Sequence, residues 1–252
     1  MKTLKYFLFI ILAAQFLHAQ SSIVIGTGAS IDVGLGADIC AGSITGTVTG
    51  DGTQCSSALP KILSLVALIE GFYNGVTMVP DTVTLQLRNT ASPYTLAEQK
   101  KVVLNTSGSG TGSFTAVTGG TQYYLVVRHR NAIETWSATG KTFSSNLLNY
   151  DFTTAAAQAY GNNMKLKGSK WTIFNGDVNQ DGVVDLSDVG LVDIDNLNFV
   201  AGYVSTDVNG DNIVDLSDLS LVDNNNLNFV SKITPTLITA RKEKKQLQTS
   251  DK

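Results

Sequence analysis

Residues 177–188 read DVNQDGVVDLSD, and thirty residues later 207–218 read DVNGDNIVDLSD. In register, Asp177 matches Asp207, Asn179 matches Asn209, Asp181 matches Asp211, Asp185 matches Asp215 and Asp188 matches Asp218. An apolar frame repeats with them: Val184 with Val214, Leu186 with Leu216, Val189 with Leu219, Leu191 with Leu221, and Phe199 with Phe229. From Gly176 to Ser231 there are eleven Asp and no Lys, Arg or His. Two carboxylates about 4 Å apart repel by roughly 4 kcal/mol at an effective dielectric near 20. A loop crowded with them must open, take up protons or enclose a cation. The regular apolar interleaving argues against an open, solvated acidic tail.

In each copy the oxygen-bearing side chains stand at positions 1, 3, 5, 9 and 12 of a twelve-residue loop. That is the spacing by which such a loop wraps a calcium ion, because six to eight oxygens can converge only from alternate residues. Position 7 contributes a backbone carbonyl, so its side chain is free; here it is Val183 and Ile213. Position 6 must turn sharply, which Gly182 does easily and Asn212 tolerates. Val184 and Val214, at position 8, are expected in a core. Each loop should run into a helix capped by Asp185 or Asp215, with Asp188 or Asp218 in the first turn. Leu186, Val189 and Val192, and their matches Leu216, Leu219 and Val222, recur at helical spacing and predict two helices packed face to face. With no basic residue in the repeat, a divalent ion is the missing charge.

These loops resemble the dockerin form, with Asp rather than Glu at the last position and two loop–helix units at the C-terminal side of the chain. The resemblance covers residues 176–231. It implies an EF-hand-like module holding two calcium ions. One would be bound by Asp177, Asn179, Asp181, the Val183 carbonyl, Asp185 and Asp188. The other would be bound by Asp207, Asn209, Asp211, the Ile213 carbonyl, Asp215 and Asp218. It also implies attachment to a cohesin-type protein partner or surface scaffold, commonly in polysaccharide breakdown. The chain departs from the cellulosomal pattern in having Leu–Ser at positions 10 and 11 and no basic pair on the following helices. In this it looks more like the dockerin-like modules at the ends of bacterial surface proteins.

The first residues, MKTLKYFLFIILAAQFLHAQ, have two Lys, an apolar run and small residues ending at Ala19. This is the layout of a secretory signal over residues 1–19, and it predicts a secreted, extracellular or cell-surface protein without a later membrane span. The two cysteines, Cys40 and Cys55, are then expected as a disulfide closing a short loop, worth about 3 kcal/mol in the chain-entropy model. Residues 20–59 read as a Gly/Thr-rich β extension. Residues 60–164 read as an antiparallel β-sandwich, because short runs alternate and are separated by Gly, Asn and Ser turns. In DTVTLQLRN, Val83, Leu85 and Leu87 share one face; in TQYYLVVRHRN, Tyr123, Leu125 and Val127 do. The segment AAAQAYGNN suggests a helical turn. A basic linker at 165–172 precedes the repeat at 173–231, and 232–252 read as a basic flexible tail. The fold class expected is mainly β with a small α module.

No GxSxG or HExxH motif occurs, and the one histidine after the signal, His129, lies mid-strand without a nucleophile beside it in sequence. The chain therefore reads as a non-catalytic modular protein. The alternative is a carbohydrate-binding or glycoside-hydrolysing component of extracellular polysaccharide degradation. Glu70 and Glu134, on apolar strands, are its candidate carboxylates. Tyr73, Tyr123, Tyr124, Trp136 and Trp171 are its candidate sugar-stacking rings. A near-balanced net charge of −3 offers nothing to a nucleic acid.

Overall fold

The first strands are short because glycines interrupt them. β1 (Ser22–Val24), β2 (Ser30–Asp32) and β3 (Asp38–Cys40) are followed by β4 (Ser43–Thr45), β5 (Thr47–Thr49) and β6 (Thr53–Cys55). In this computed structural model, which describes residues 22–34, 38–40, 43–51, 53–55 and 59–235, β4 pairs parallel with β1, β5 with β2 and β6 with β3. Parallel neighbours need a long crossover. Here each crossover consists of the other short strands, so a second pass of three strands lies beside the first. The register sets the Cys40 backbone opposite that of Cys55. Neighbouring strands lie about 4.8 Å apart, within the Cα separation a disulfide spans. The expected bond itself, the signal at 1–19 and the tail beyond Pro235 lie outside the described residues.

Residues Pro60–Lys252 belong to a second unit, separate from Met1–Leu59. Its strands are β7 (Lys61–Val66), β8 (Asp81–Asn89), β9 (Leu96–Leu104), β10 (Ser109–Phe114), β11 (Gln122–His129), β12 (Ala132–Trp136), β13 (Lys141–Thr142) and β14 (Leu147–Asp151). One sheet has the order β10-β7-β14, the other β12-β11-β8-β9, with β13 also paired to β11. Leu63 and Leu65 of the first sheet and Val83, Leu85, Leu87, Leu125 and Val127 of the second share one buried cluster. Period-two alternation produces this: the predicted faces of β8 and β11 are the ones buried. Pairing in these sheets is antiparallel as expected, with one exception. β14 runs parallel to β7, since the chain returns to β7 after crossing the other sheet rather than by a hairpin. The expected helical turn is a series of three 3-10 turns between Phe152 and Asn162. Where a linker is expected, β15 (Lys165–Lys167) and β16 (Lys170–Thr172) pair as an antiparallel hairpin.

The repeat follows as α1 (Leu186–Leu197) and α2 (Leu216–Leu227). Both helices start with a capping box. The Asp185 side chain accepts from the helix's first turn while Asp188 reaches back to the Asp185 N–H, and Asp215 and Asp218 repeat the arrangement. Val184, Val192, Val214 and Val222 are buried together with Val178, Val208 and Val230. Each loop also bonds to the exit of the other repeat's helix: Val184 N donates to Val230 O at 2.8 Å, and Val214 N to Val200 O at 3.0 Å. Offset by thirty residues, these are the same bond, so the two units embrace about a local two-fold.

Part of the expected helix interface faces solvent. Leu186 and Leu216 are 74% and 66% exposed, and Phe199 and Phe229 are 89% and 88% exposed. Residues three apart on a helix drift by about 60° per step. Leu186, Val189 and Val192 thus fan over about 120°, and the core takes only the end centred on Val192.

The repeat is built onto the two sheets. Ile133 of β12 sits in the repeat's own apolar cluster. The connecting segment is pinned on both sides: Glu70 N donates to Ile173 O, Ile133 N to Phe174 O and Gly176 N to Asn131 O, at 2.7–2.9 Å. At Gly71 a Cβ would lie 2.1 Å from Val208 O, and at Gly210 one would lie 2.6 Å from the Phe72 ring. Backbone and ring therefore meet with no side chain between them.

Candidate metal centre

Short polar side chains at alternate positions fold each loop inward by accepting from backbone N–H groups two residues on. Asn179 Oδ1 accepts from Asp181 N at 2.9 Å, Asp181 Oδ1 from Val183 N at 2.9 Å, and Asp185 Oδ1 from Ser187 N at 2.8 Å. The second loop repeats this at Asn209, Asp211 and Asp215 with distances of 2.7–2.9 Å. Asp188 closes its loop across the bottom: Oδ1 accepts from Val178 N and Asn179 N, and Oδ2 from Asp185 N. Asp218 does the same for Val208, Asn209 and Asp215. Gly182 and Asn212 adopt φ of 96° and 69°, the left-handed turn anticipated at position 6. Position 4 is left-handed as well, at Gln180 and Gly210, a requirement that the sequence pattern does not announce at Gln180. The Val183 and Ile213 side chains are exposed, so position 7 is free to be apolar.

The twelve expected donors thus sit on two matched loops. Among the described residues, however, no three His, Cys, Asp or Glu side chains form a metal-holding group. The donor chemistry nonetheless fits a hard cation, because the first loop has a buried carboxylate oxygen without a partner. Asp177 is buried, and its Oδ1 has no hydrogen-bond partner. Burial pushes its carboxyl up to about 6; Asp188 and Asp181 add to this, while backbone N–H groups of Gly182 and Asp181 oppose it. Burial likewise raises Asp188 and Asp218 against the pull of their backbone bonds. Asp185 and Asp215, at the surface, are lowered by hydrogen bonds from Ser187 and Ser217.

The loops differ in their neighbours, which corrects the expectation that no basic residue is near. Arg130, just past β11, reaches the second loop: Nη2 lies 3.4 Å from Asp207 Oδ2. Its Nε lies 3.1 Å from Asp81 Oδ2, and Nη1 donates to Val204 O. The guanidinium stacks 4.1 Å from the Tyr203 ring centroid, and Phe72 flanks it. Asn131 Nδ2 donates to Asp207 O at 2.7 Å. At the first loop the Lys232 stem crosses Gly182, where a Cβ would lie 2.6 Å from Lys232 Cδ. Arg130 stands 77 positions from Asp207, and nothing within the repeat signals it.

His129 is buried beneath this junction, with Nε2 3.1 Å from Asp81 Oδ2 and the Phe72 ring edge-on. Burial pushes Asp81 up, but hydrogen bonds from His129 and Tyr203 outweigh it and hold the carboxyl well below the usual carboxylate range. The candidate carboxylates of the alternative reading have separate partners. Glu70 accepts from Asn225 Nδ2 at 2.7 Å, and Glu134 from Trp136 Nε1 at 2.7 Å. The candidate stacking rings divide too. Tyr73 and Tyr123 are core, with Trp171 packed against it. Tyr124 and Trp136 join Tyr94 and Tyr160 in a cluster of edge-to-face contacts.

No family model and no curated protein matches the chain. Among solved structures, the chain is similar to a type II cohesin–X–dockerin complex from Acetivibrio cellulolyticus, an N-terminal interface mutant. The match has 14% identity and a TM-score of 0.37, covering 66% of this chain and 94% of that one. At that score the likeness establishes neither fold nor function. The fold stands on the chain's own geometry: among the described residues it is mainly β, with several sheets and two α-helices. No helix among the described residues is long and apolar enough to cross a membrane.

Proposed function

We propose that residues 173–231 form an EF-hand-like, dockerin-like module that binds two calcium ions and attaches an exported, non-catalytic protein to a protein partner. The two-sheet unit before it would be a β-sandwich serving as its base, and Cys40 and Cys55 would be joined by a disulfide. Asp177, Asn179, Asp181, Asp185, Asp188 and the Val183 carbonyl would hold one ion. Asp207, Asn209, Asp211, Asp215, Asp218 and the Ile213 carbonyl would hold the other. Calcium would supply the positive charge that lets these carboxylates approach. The observation that carries this reading is the buried, unpartnered Asp177 Oδ1 among acidic neighbours, since a buried charge needs a counter-charge.

The partner-binding face would be the apolar residues that the repeat leaves in solvent: Leu186 with Leu216, Leu197 with Leu227, and Phe199 with Phe229. Their pairwise recurrence suits a partner that reads a protein surface of cohesin type. The test is surface plasmon resonance of the full chain against immobilised cohesin modules, with calcium and with chelator. Binding that requires calcium and is lost in a Leu186→Ser, Leu216→Ser double variant supports the reading. Binding unaffected by chelator and by both substitutions refutes it.

A further inference from the structure

The two loops nearly match in sequence but differ in surroundings, and the largest electrostatic difference is one guanidinium. Asp207 shares Oδ2 with Arg130 and accepts from Gly210 N at 2.8 Å on Oδ1. Asp177, its counterpart, has an unpartnered Oδ1 and no arginine. Lys232, near the first loop, pairs with no carboxylate among the described residues and sits on a flexible stem that can swing aside. Arg130 cannot swing aside. Asp81 holds it through Nε, the Val204 carbonyl holds Nη1, and Tyr203 and Phe72 cover its faces. Tyr203 OH in turn donates to Asp81 Oδ1 at 2.6 Å. The arginine is therefore a fixed positive charge beside the first donor of the second loop.

We propose that Arg130 makes the two calcium sites unequal: as a resident counter-charge on Asp207 it weakens the second loop for calcium and ties that loop to the two-sheet body. A cation entering the second loop meets a pinned like charge and a carboxylate already partly neutralised. A cation entering the first loop meets a carboxylate with one unpartnered oxygen and no guanidinium beside it. Arg130 acts as a positioning residue, touching a donor and not the ion. The inference rests on the calcium reading of the loops.

The test is calcium calorimetry on the full chain in three backgrounds. Asp211→Ala leaves the first loop intact, Asp181→Ala leaves the second, and Asp181→Ala with Arg130→Gln leaves the second without its guanidinium. The first loop should bind at least about tenfold tighter than the second, and Arg130→Gln should tighten the second by about tenfold, or about 1.4 kcal/mol. A merely structural arginine would weaken the loop when removed. Equal affinities in the two single variants, or an unchanged or weaker second loop in the double variant, overturn the proposal while leaving calcium binding in place. No calcium uptake by the unaltered chain defeats the underlying reading instead. Should the double variant fail to fold, the comparison of the two single variants decides.

Discussion

Replacing Asp177 by Asn should stabilise the metal-free protein, against the usual effect of substituting a buried polar residue. The carboxyl of Asp177 is raised from 3.8 to about 6. An acid raised on folding holds its proton more tightly in the folded state, so its ionised form opposes folding. The opposition is absent below 3.8, grows as pH rises and is complete above about 6. At about 1.4 kcal/mol per pH unit the interval is worth about 3 kcal/mol at neutral pH. Asn keeps an acceptor for the backbone N–H groups and removes the charge. Urea unfolding at pH 7.5 in chelator should show Asp177→Asn more stable than the parent by up to about 3 kcal/mol. The parent itself should gain stability in chelator as pH falls from 6 towards 4, with Asp188 and Asp218 shifting in the same sense. With calcium present the order should reverse, since the variant lacks a charged ligand. A variant less stable than the parent in chelator would refute the claim that this carboxylate lacks a counter-charge.

Gly71→Ala should destabilise the chain by about 1–3 kcal/mol in thermal unfolding, because its Cβ would collide with Val208 O. Ile133→Ala, read by hydrogen exchange, should loosen α1 and α2 as well as β12, since that side chain lies in the repeat's cluster; protection lost only in β12 would contradict it. Asp81→Asn should weaken the junction of His129, Arg130 and Tyr203, costing about 3 kcal/mol or more by urea unfolding, as expected for breaking a buried charge network. Mass spectrometry of exported protein should find Cys40 and Cys55 linked before reduction; free thiols would count against the disulfide.

Alternation made the inner faces of β8 and β11 legible, since Val83, Leu85, Leu87 and Leu125 had to share a side. It could not say which strand each would neighbour, so the parallel pairing of β14 with β7 and of β4 with β1 went unread. Much of the loop backbone was legible: Gly182 and Asn212 turn left-handed, Val184 and Val214 are buried, and Asp185 and Asp215 cap, but the left-handed Gln180 was not. The junction was not. Nothing around Arg130, Gly71 or Gly210 in sequence marks them before the fold sets them against Asp207, Val208 and Phe72. Contacts between segments so far apart in sequence leave no local pattern in either.

The proposed counter-charge of the aspartate-dense repeat is a divalent cation. The most direct measurement is metal content: the full chain is equilibrated with calcium, gel-filtered and analysed by elemental mass spectrometry. Two calcium ions per chain are expected, falling to one when either Asp181 or Asp211 is replaced by Ala. A chain that retains no calcium, with a melting temperature unmoved by chelator, would contradict it.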